Sequence, residues 1–211
     1  IKKNSNTVKI ASGDLNFNFL IKKIVNLNFN IILSTGASDL KEIKSAIQII
    51  KKKYKRGIKK KLVLMHCVSS YPVSDNFANT SSVKYLSDKF KVTVGYSNHV
   101  IGINACLTSI CMGARVIEFH FTDNKNRKFR DHQLSLNKSD VKKLIKTGNN
   151  FNLLIGKYQK ILPKKVEKDK KNLNKGIIAN KDLQKNKRLT KYDLSYARPA
   201  QFFHANQIKK V

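Results

Sequence analysis

The sequence predicts an α/β fold: a partial TIM (β/α)8 barrel followed by a small separate module. Two observations carry that reading. Short apolar or β-branched runs recur along residues 8–156, each followed by a longer stretch with helical spacing. That is the pattern of parallel strands buried on both faces and joined by crossover helices. In addition, no glycine-rich turn follows the first strand, as a doubly wound nucleotide fold would require.

The first run, Val8 to Ala11, precedes helical spacing from Phe19 to Leu27. Asn30 to Thr35 precedes Leu40 to Tyr54, and Leu62 to Cys67 precedes Val83 to Phe90. Val92 to Tyr96 precedes Ile101 to Cys111, and Val116 to Phe121 precedes Lys138 to Tyr158. A complete barrel takes roughly 250 residues, so five units take about 156, close to where the last helix fades. The expectation is therefore the last five βα units of a barrel, within residues 1–160. The chain would then begin partway through a longer protein. It has no initial Met, and Ile1-Lys2-Lys3-Asn4 is not followed by the apolar stretch of a signal peptide.

After Pro163 the composition shifts. Residues 161–175, with the basic block Lys164 to Lys175, read as an extended charged linker. Residues 176–211 read as a small module of short mixed elements.

The bulk numbers bound the function. The 211 residues are 41% hydrophobic and 27% charged, which suits a globular chain. No apolar run reaches the ~20 residues of a membrane span. The three cysteines form no CxxC pair and read as reduced, buried thiols of a cytoplasmic protein. The net charge of +30 points towards nucleic acid. However, the lysines are spread along nearly the whole chain, on helix faces such as Lys22, Lys41, Lys44 and Lys51 to Lys53, and they accompany an excess of Asn. Biased Lys/Asn usage is the preferred explanation, so neither a specific nucleic acid nor a membrane is expected as partner.

In a βα barrel the chemistry sits at the C-terminal ends of the strands. The first strand ends in Lys9, Ser12 and Asp14, the second in Ser34 and Thr35. The third ends in His66, Ser69 and Tyr71, the fourth in Ser97 and His99, the fifth in Glu118 and His120. A single serine there is ordinarily a helix cap, and a single histidine is ordinarily structural. Hydroxyl or imidazole groups at all five ends, with histidines at three, exceed what capping predicts.

The strings KIASGD, ILSTG, LMHCVSSYP, GYSNH, and IEFHFT followed by DHQLS resemble the successive strand ends of the N-acetylneuraminate (sialic acid) synthase family, including its legionaminate and pseudaminate relatives. The tail ANKDLQKNKRLTKYDLSYARP resembles the small SAF, or antifreeze-like, domain that ends those enzymes. The resemblance covers essentially the whole chain. It implies condensation of phosphoenolpyruvate with an N-acylated amino sugar, N-acetylmannosamine-like, to a nine-carbon 2-keto sugar acid, with release of phosphate. It assigns a divalent metal, manganese or magnesium, to His99 and His120. Lys9, Ser12, Ser34, Ser69 and Ser97 match positions that hold phosphoenolpyruvate, and Tyr71 and Asp131 match contacts to the amino sugar. Asp14 matches an acidic position near the reacting carbons, although a plain helix-start acid explains it equally. Arg198 matches an arginine that reaches the partner subunit's site, which implies a domain-swapped homodimer.

The chain departs from the family pattern at Asn98 (usually Asp), Phe119 (usually basic) and Ala200 (usually glycine). Asn124 to Arg130 lacks the usual Pro-Gly-Pro. The 211-residue chain by itself is expected to be inactive. The competing classes are another phosphoenolpyruvate–aldose synthase, such as one forming an octulosonate phosphate, a catalytically dead scaffold, and a basic nucleic-acid-binding protein.

Overall fold

A computed structural model describes residues 5–211; Ile1 to Asn4, read above as no signal peptide, lie outside the described residues. The chain divides into two compact units, one running to Gly156 and one from Lys157 to Val211.

The first unit holds five parallel strands, β1 (Thr7–Ile10), β2 (Asn30–Ser34), β3 (Leu62–His66), β4 (Thr93–Asn98) and β5 (Ile117–Phe119). They pair in sequence order, β1-β2-β3-β4-β5. Crossovers between parallel strands share one hand, so an order that never reverses puts every helix on one face. A doubly wound sheet reverses and covers both faces. Here α1 (Asn18–Asn26), α2 (Leu40–Tyr54), α4 (Ser82–Phe90), α5 (Asn104–Cys111) and α6 (Lys138–Ile155) follow the five strands in turn, with a short α3 (Ile58–Lys61) leading into β3. The sheet is a curled half-barrel.

Strand periodicity sorts the side chains. Ile10, Ile31, Leu33, Leu62, Leu64, Val94 and Tyr96 face the helices and join one core with Ile21, Ile24, Ile43, Ile47, Ile50, Val83 and Leu86. The intervening positions, Lys9, Ile32, Ser34, Val63, Met65, Gly95, Ser97 and Glu118, face the concave side. Gly95 is required there: a Cβ would lie 2.5 Å from Met65 Sδ and 2.6 Å from the Val116 carbonyl.

The helix starts follow local chemistry. At α2, Asp39 accepts from the Lys41 and Glu42 amides while Glu42 accepts from the Asp39 amide. Asn137 and Asp140 make the same reciprocal cap at α6. Such a cap contributes about 1 kcal/mol. Helix α6 stops at Ile155, short of the expected Tyr158. Among the described residues, no helix is long and apolar enough to cross a membrane. All three cysteines are free, but only Cys67 and Cys106 are buried; Cys111, expected buried, is exposed.

The second unit corrects one expectation. Lys164–Leu173 is a helix, α7, rather than an extended linker. Pro163 precedes it, where the missing N–H costs nothing. Glu167 and Lys171 stand four apart in the favourable order, and lysine is itself a good helix former. The last carbonyls of α7 are taken up within the same unit: the Ala200 amide donates to Lys171 and Arg198 Nε to Leu173. Strands β6 (Gly176–Ala179) and β7 (Leu194–Ala197) pair antiparallel. Ala200 packs against Gly176, where a Cβ would meet Ala200 Cα at 2.8 Å.

Asp193 organises this unit. Its buried carboxylate accepts from Lys187 Nζ at 2.6 Å, from the Thr190 amide and hydroxyl, and pairs with Lys181 at 3.2 Å. The Lys187 ammonium and the Thr190 donors hold the carboxyl far below the usual carboxylate range. The folded pKa thus lies below the unfolded value of about 3.9. The stabilisation is complete above that value and is lost as pH falls beneath it. In an NMR acid titration, the amide signals of β6 and β7 should collapse below about pH 4. Asp193→Asn should melt lower at neutral pH and lack that acid dependence. Superimposable acid profiles for the two proteins would refute this role.

Candidate functional site

The strands deliver three groups of polar side chains to one end of the concave face. The first is an ion pair across the two edges of the sheet. Lys9 on β1 donates to Glu118 on β5 at 2.6 Å, and Ser97 on β4 donates to the same carboxylate oxygen at 2.8 Å. Burial pushes the Glu118 carboxyl up, but the hydrogen bonds from Lys9 and Ser97 and the charge of Lys9 outweigh it, so the acid stays ionised below its ordinary range.

The second group surrounds Gly36. The Gly36 amide donates to Ser12 Oγ at 3.0 Å, and Ser12 Oγ lies 3.3 Å from Cys67 Sγ. A Cβ on Gly36 would meet Ser69 Oγ at 2.7 Å and Cys67 Sγ at 2.9 Å, so only glycine lets these groups converge. Nearby in sequence, Ser34 is buried and its hydroxyl has no partner among the described residues. A buried hydroxyl left unpaired costs about 1–3 kcal/mol, which is accounted for if it donates to a ligand.

The third group is aromatic. The His99 and His120 rings stand 5.5 Å apart edge to face, and Tyr71 lies 4.2 Å from His99 and 5.8 Å from His120. His99 Nδ1 lies 2.7 Å from the Val68 carbonyl, and His120 Nδ1 lies 3.5 Å from the Asp131 carboxylate. A carbonyl can only accept, so Nδ1 of His99 carries the proton and Nε2 keeps its lone pair. Burial, opposed by that carbonyl and reinforced by His120, pushes the His99 pKa down, so the ring is neutral near pH 7. Two imidazoles with their other nitrogens held by a carbonyl and a carboxylate form the outer support that metal-binding histidines use. The donor set therefore fits a divalent ion, with the remaining positions left to other oxygen ligands. Among the described residues, no third His, Cys, Asp or Glu completes a metal-binding cluster.

The three groups are close enough to feel one another: Lys9 and Glu118 act on His99, while Cys67, Asp131, Lys9 and Glu118 act on Tyr71. Lys9, Ser12, Ser69, Tyr71, Ser97, His99, His120 and Asp131 are thus brought together. Asp14 is not. It is exposed on the turn Ser12–Asp14, and its carboxylate has no ion pair or hydrogen bond among the described residues. Arg198 belongs to the second unit, where its Nε is bound to Leu173.

His66, counted above among the strand-end imidazoles, turns the other way. Its Nε2 lies 3.0 Å from the Ala78 carbonyl and its ring contacts Tyr96. It is a structural histidine whose pKa burial pushes down, against hydrogen bonds to Ala78 and Asn79.

Two departures from the family pattern have local reasons. Asn98 is buried and its amide donates to the Val100 and Gly102 carbonyls, bonds that an ionised Asp could not make. Phe119 points away from the concave face and packs on the core. Between Asp123 and Arg130 the loop is tied by the Asp123–Arg127 and Lys125–Asp140 ion pairs and by Thr122 to His132 at 2.7 Å.

Sequence reasoning noted Glu118 at a strand end without giving it a role, and it did not single out Gly36. An acid two residues before His120, on the same face of an otherwise apolar strand, was the available signal for Glu118. For Gly36 there was only its place after Ser34-Thr35.

The NeuB family matches residues 1–160. An N,N'-diacetyllegionaminic acid synthase of Campylobacter jejuni is 36% identical over 91% of this chain and 57% of its own length. An N-acetylneuraminate-9-phosphate synthase of Drosophila melanogaster is 35% identical over 69% of this chain and 38% of its own length. Among solved structures, an N-acetylneuraminic acid synthetase from Leptospira borgpetersenii superposes with a TM-score of 0.71 at 29% identity, covering 78% of this chain and 56% of that one. The match to this chain spans between 38% and 57% of the length of these relatives.

Glu118 occupies the two donors, Lys9 and Ser97, that another anion would use. Replacing it by Gln should therefore tighten inorganic phosphate binding, by up to about tenfold. The melting temperature should shift little, since a half-exposed pair contributes about 1 kcal/mol or less. Calorimetric titration checks this; weaker phosphate binding by Glu118→Gln would assign the carboxylate a supporting role instead.

Proposed function

The chain belongs to the NeuB family, and from that premise we propose that the intact protein condenses phosphoenolpyruvate with an N-acylated amino sugar. The product is a nine-carbon, sialic-acid-type 2-keto acid, and phosphate is released. What supports the reading is the conjunction of two imidazoles with a lysine and several hydroxyls at one end of the curled sheet.

Lys9, Ser12, Ser34, Ser69 and Ser97 bind the phosphate and carboxylate of phosphoenolpyruvate, a lysine charge and converging hydroxyls being matched to such an anion. The unpaired Ser34 hydroxyl gains its partner in this way. Tyr71 and Asp131 hold the amino sugar in its open-chain form, with its aldehyde carbon against the phosphoenolpyruvate methylene. His99 and His120 would hold a manganese or magnesium ion, which supplies Lewis-acid polarisation of the aldehyde oxygen. The methylene carbon bonds to the aldehyde carbon, and the enol carbon becomes electrophilic. Water adds there, and the proton it gives up is matched by the one taken up by the oxygen of the former aldehyde; Asp14, exposed and away from the gathered groups, is left without a part in this step. The tetrahedral intermediate expels phosphate by cleavage of the C–O bond, leaving the 2-keto group. The cationic character at the enol carbon is favoured by the Glu118 carboxylate, the nearest fixed negative charge to Lys9 and Ser97.

The test is phosphate release by the intact protein. It should require phosphoenolpyruvate, N-acetylmannosamine and a divalent ion together, and stop with chelator. His99→Ala and His120→Ala should each lower turnover roughly 100-fold or more and weaken manganese binding, with the circular dichroism spectrum retained. Equal release with a pentose phosphate in place of the amino sugar would move the protein to a different synthase class.

The second unit we read as an SAF-like module that docks over the partner subunit's mouth in a homodimer, bringing Arg198 to the sugar. Its 55 residues bury little core alone, and docking would shield the site from water. Mixing Arg198→Ala with His120→Ala subunits should then restore up to about a quarter of normal activity, because one site in half of the random dimers regains both groups. A mixture as inactive as either parent, with heterodimers confirmed by mass, would exclude the swapped arrangement.

A further inference from the structure

The first unit carries a second built concavity, at the opposite end of the strands from the histidines. A cleft of about 1000 Å³ opens where α2 and α4 end and α3 begins. These segments lead into the N-terminal ends of β3 and β4, whereas the groups described above sit at C-terminal ends. In a barrel the N-terminal end does not host the chemistry, so this cleft is independent of that reaction.

Its composition is far more basic than that of the chain as a whole. Eight of its twelve lining residues are Lys or Arg and none is acidic; the chain-wide 43 in 211 would put about two there. All eight cations are exposed. Among the described residues, no carboxylate lies within ion-pair distance of any of them. Asp88, one residue before the lining residue Lys89, is paired with Lys84 and feels Lys91 only at longer range. Beneath the charges lies an apolar floor: Ile47 of α2 and Ile58 of α3 are buried, and Phe90 of α4 is half-buried.

Helix-end electrostatics explain part of this. Lysines in the last turn of α2 complement its dipole. The explanation does not extend to Arg56, in the 3-10 turn Lys55–Gly57 past the end of α2. Nor does it explain the backbone there. Lys55 has φ 45° and Lys91 φ 55°, at helix ends where glycine is the unstrained residue. Lysine stands at both of these strained positions, and both lysines line the cleft.

We propose that this cleft binds a small polyanion with an apolar or aromatic body, of the nucleoside triphosphate class. The phosphates lie among Lys51, Lys55, Arg56, Lys59 and Lys91, and the base rests over Ile47, Ile58 and Phe90. The volume is at the upper end of small-molecule sites. A dispersed positive field would attract any anion, but it would not supply a floor on which an aromatic ring gains contact as well as charge.

The probe is ATP, titrated against the full chain by equilibrium dialysis at about 0.15 M salt, where diffuse attraction is screened. Lys55→Gln/Arg56→Gln/Lys59→Gln should weaken ATP at least about tenfold. Lys164→Gln/Lys165→Gln/Lys168→Gln, which removes the same charge from exposed α7, should weaken it less than about twofold. Equal losses in the two variants would reduce the effect to net charge and overturn the site. Inorganic tripolyphosphate binding as tightly as ATP would remove the apolar floor from the proposal and overturn the ligand class. So would a single-stranded oligonucleotide of about 20 nucleotides binding the cleft more tightly than ATP, which would make it a nucleic-acid surface. A readout independent of mutation is acetylation by acetic anhydride. ATP should protect Lys55 and Lys59 but not Lys165 and Lys168, and absence of selective protection would overturn the assignment.

Discussion

The ion pair between Lys9 and Glu118 is the constraint on which the architecture of the site depends. The two residues are on the first and last strands of a five-stranded sheet, yet their charged atoms are 2.6 Å apart. In a flat sheet, strands about 4.8 Å apart would separate those edges by roughly 19 Å. Only a strongly curled sheet lets a lysine and a glutamate span the gap. Curling also turns Ser34, Ser97, His99 and His120 towards a common axis instead of leaving them along a ridge. The pair is half-exposed and adds little stability; its significance is geometric, and it presents Lys9 and Ser97 as matched donors at one point.

The curl follows from simpler facts. Each strand joins the next through a helix, each crossover has the same hand, and the strand order never reverses, so the helices crowd one face. Their apolar stripes, Ile43, Ile47 and Ile50 on α2 among them, close that face to water. The other face is left to whatever the alternate strand positions carry, and towards the C-terminal ends those positions carry polar groups. Gly95 and Gly36 mark where the concave side is tightest, one against Met65 and Val116, the other among Ser12, Cys67 and Ser69. Stability and chemistry therefore divide along each strand by the parity of the residue.

The second unit is built on another principle. With few buried apolar residues, it uses one buried carboxylate, Asp193, to gather Lys181, Lys187 and Thr190, and it caps α7 with the Arg198 to Ala200 segment. A polar centre of this kind specifies the fold at small size while depending on ionisation. The same basic composition has opposite roles in the two units: in the second, lysines neutralise an acid, and in the cleft beside α2 and α4 they face one another without one.

What the sequence by itself determined was local and periodic. The spacing of apolar residues located all five strands to within one or two residues at each end, and α2 to the residue, because helix and strand periods are properties of consecutive positions. The strings at the strand ends identified the family, and with it most of the residues that the curled sheet gathers. The tertiary structure decided what depends on partners distant in sequence. It turned His66 outwards to Ala78 and the imidazoles of His99 and His120 inwards to each other. It made Glu118, a strand-end residue to which the sequence assigned no role, the partner of Lys9 109 positions away. It showed Asn98 as a donor to two carbonyls, and it made a helix of a lysine-rich stretch whose end carbonyls are satisfied by Arg198 and Ala200. The physical reason is common to these cases. Which way a side chain faces follows from strand alternation, but what it meets there is set by the curvature of the sheet and the packing of segments far apart in the chain.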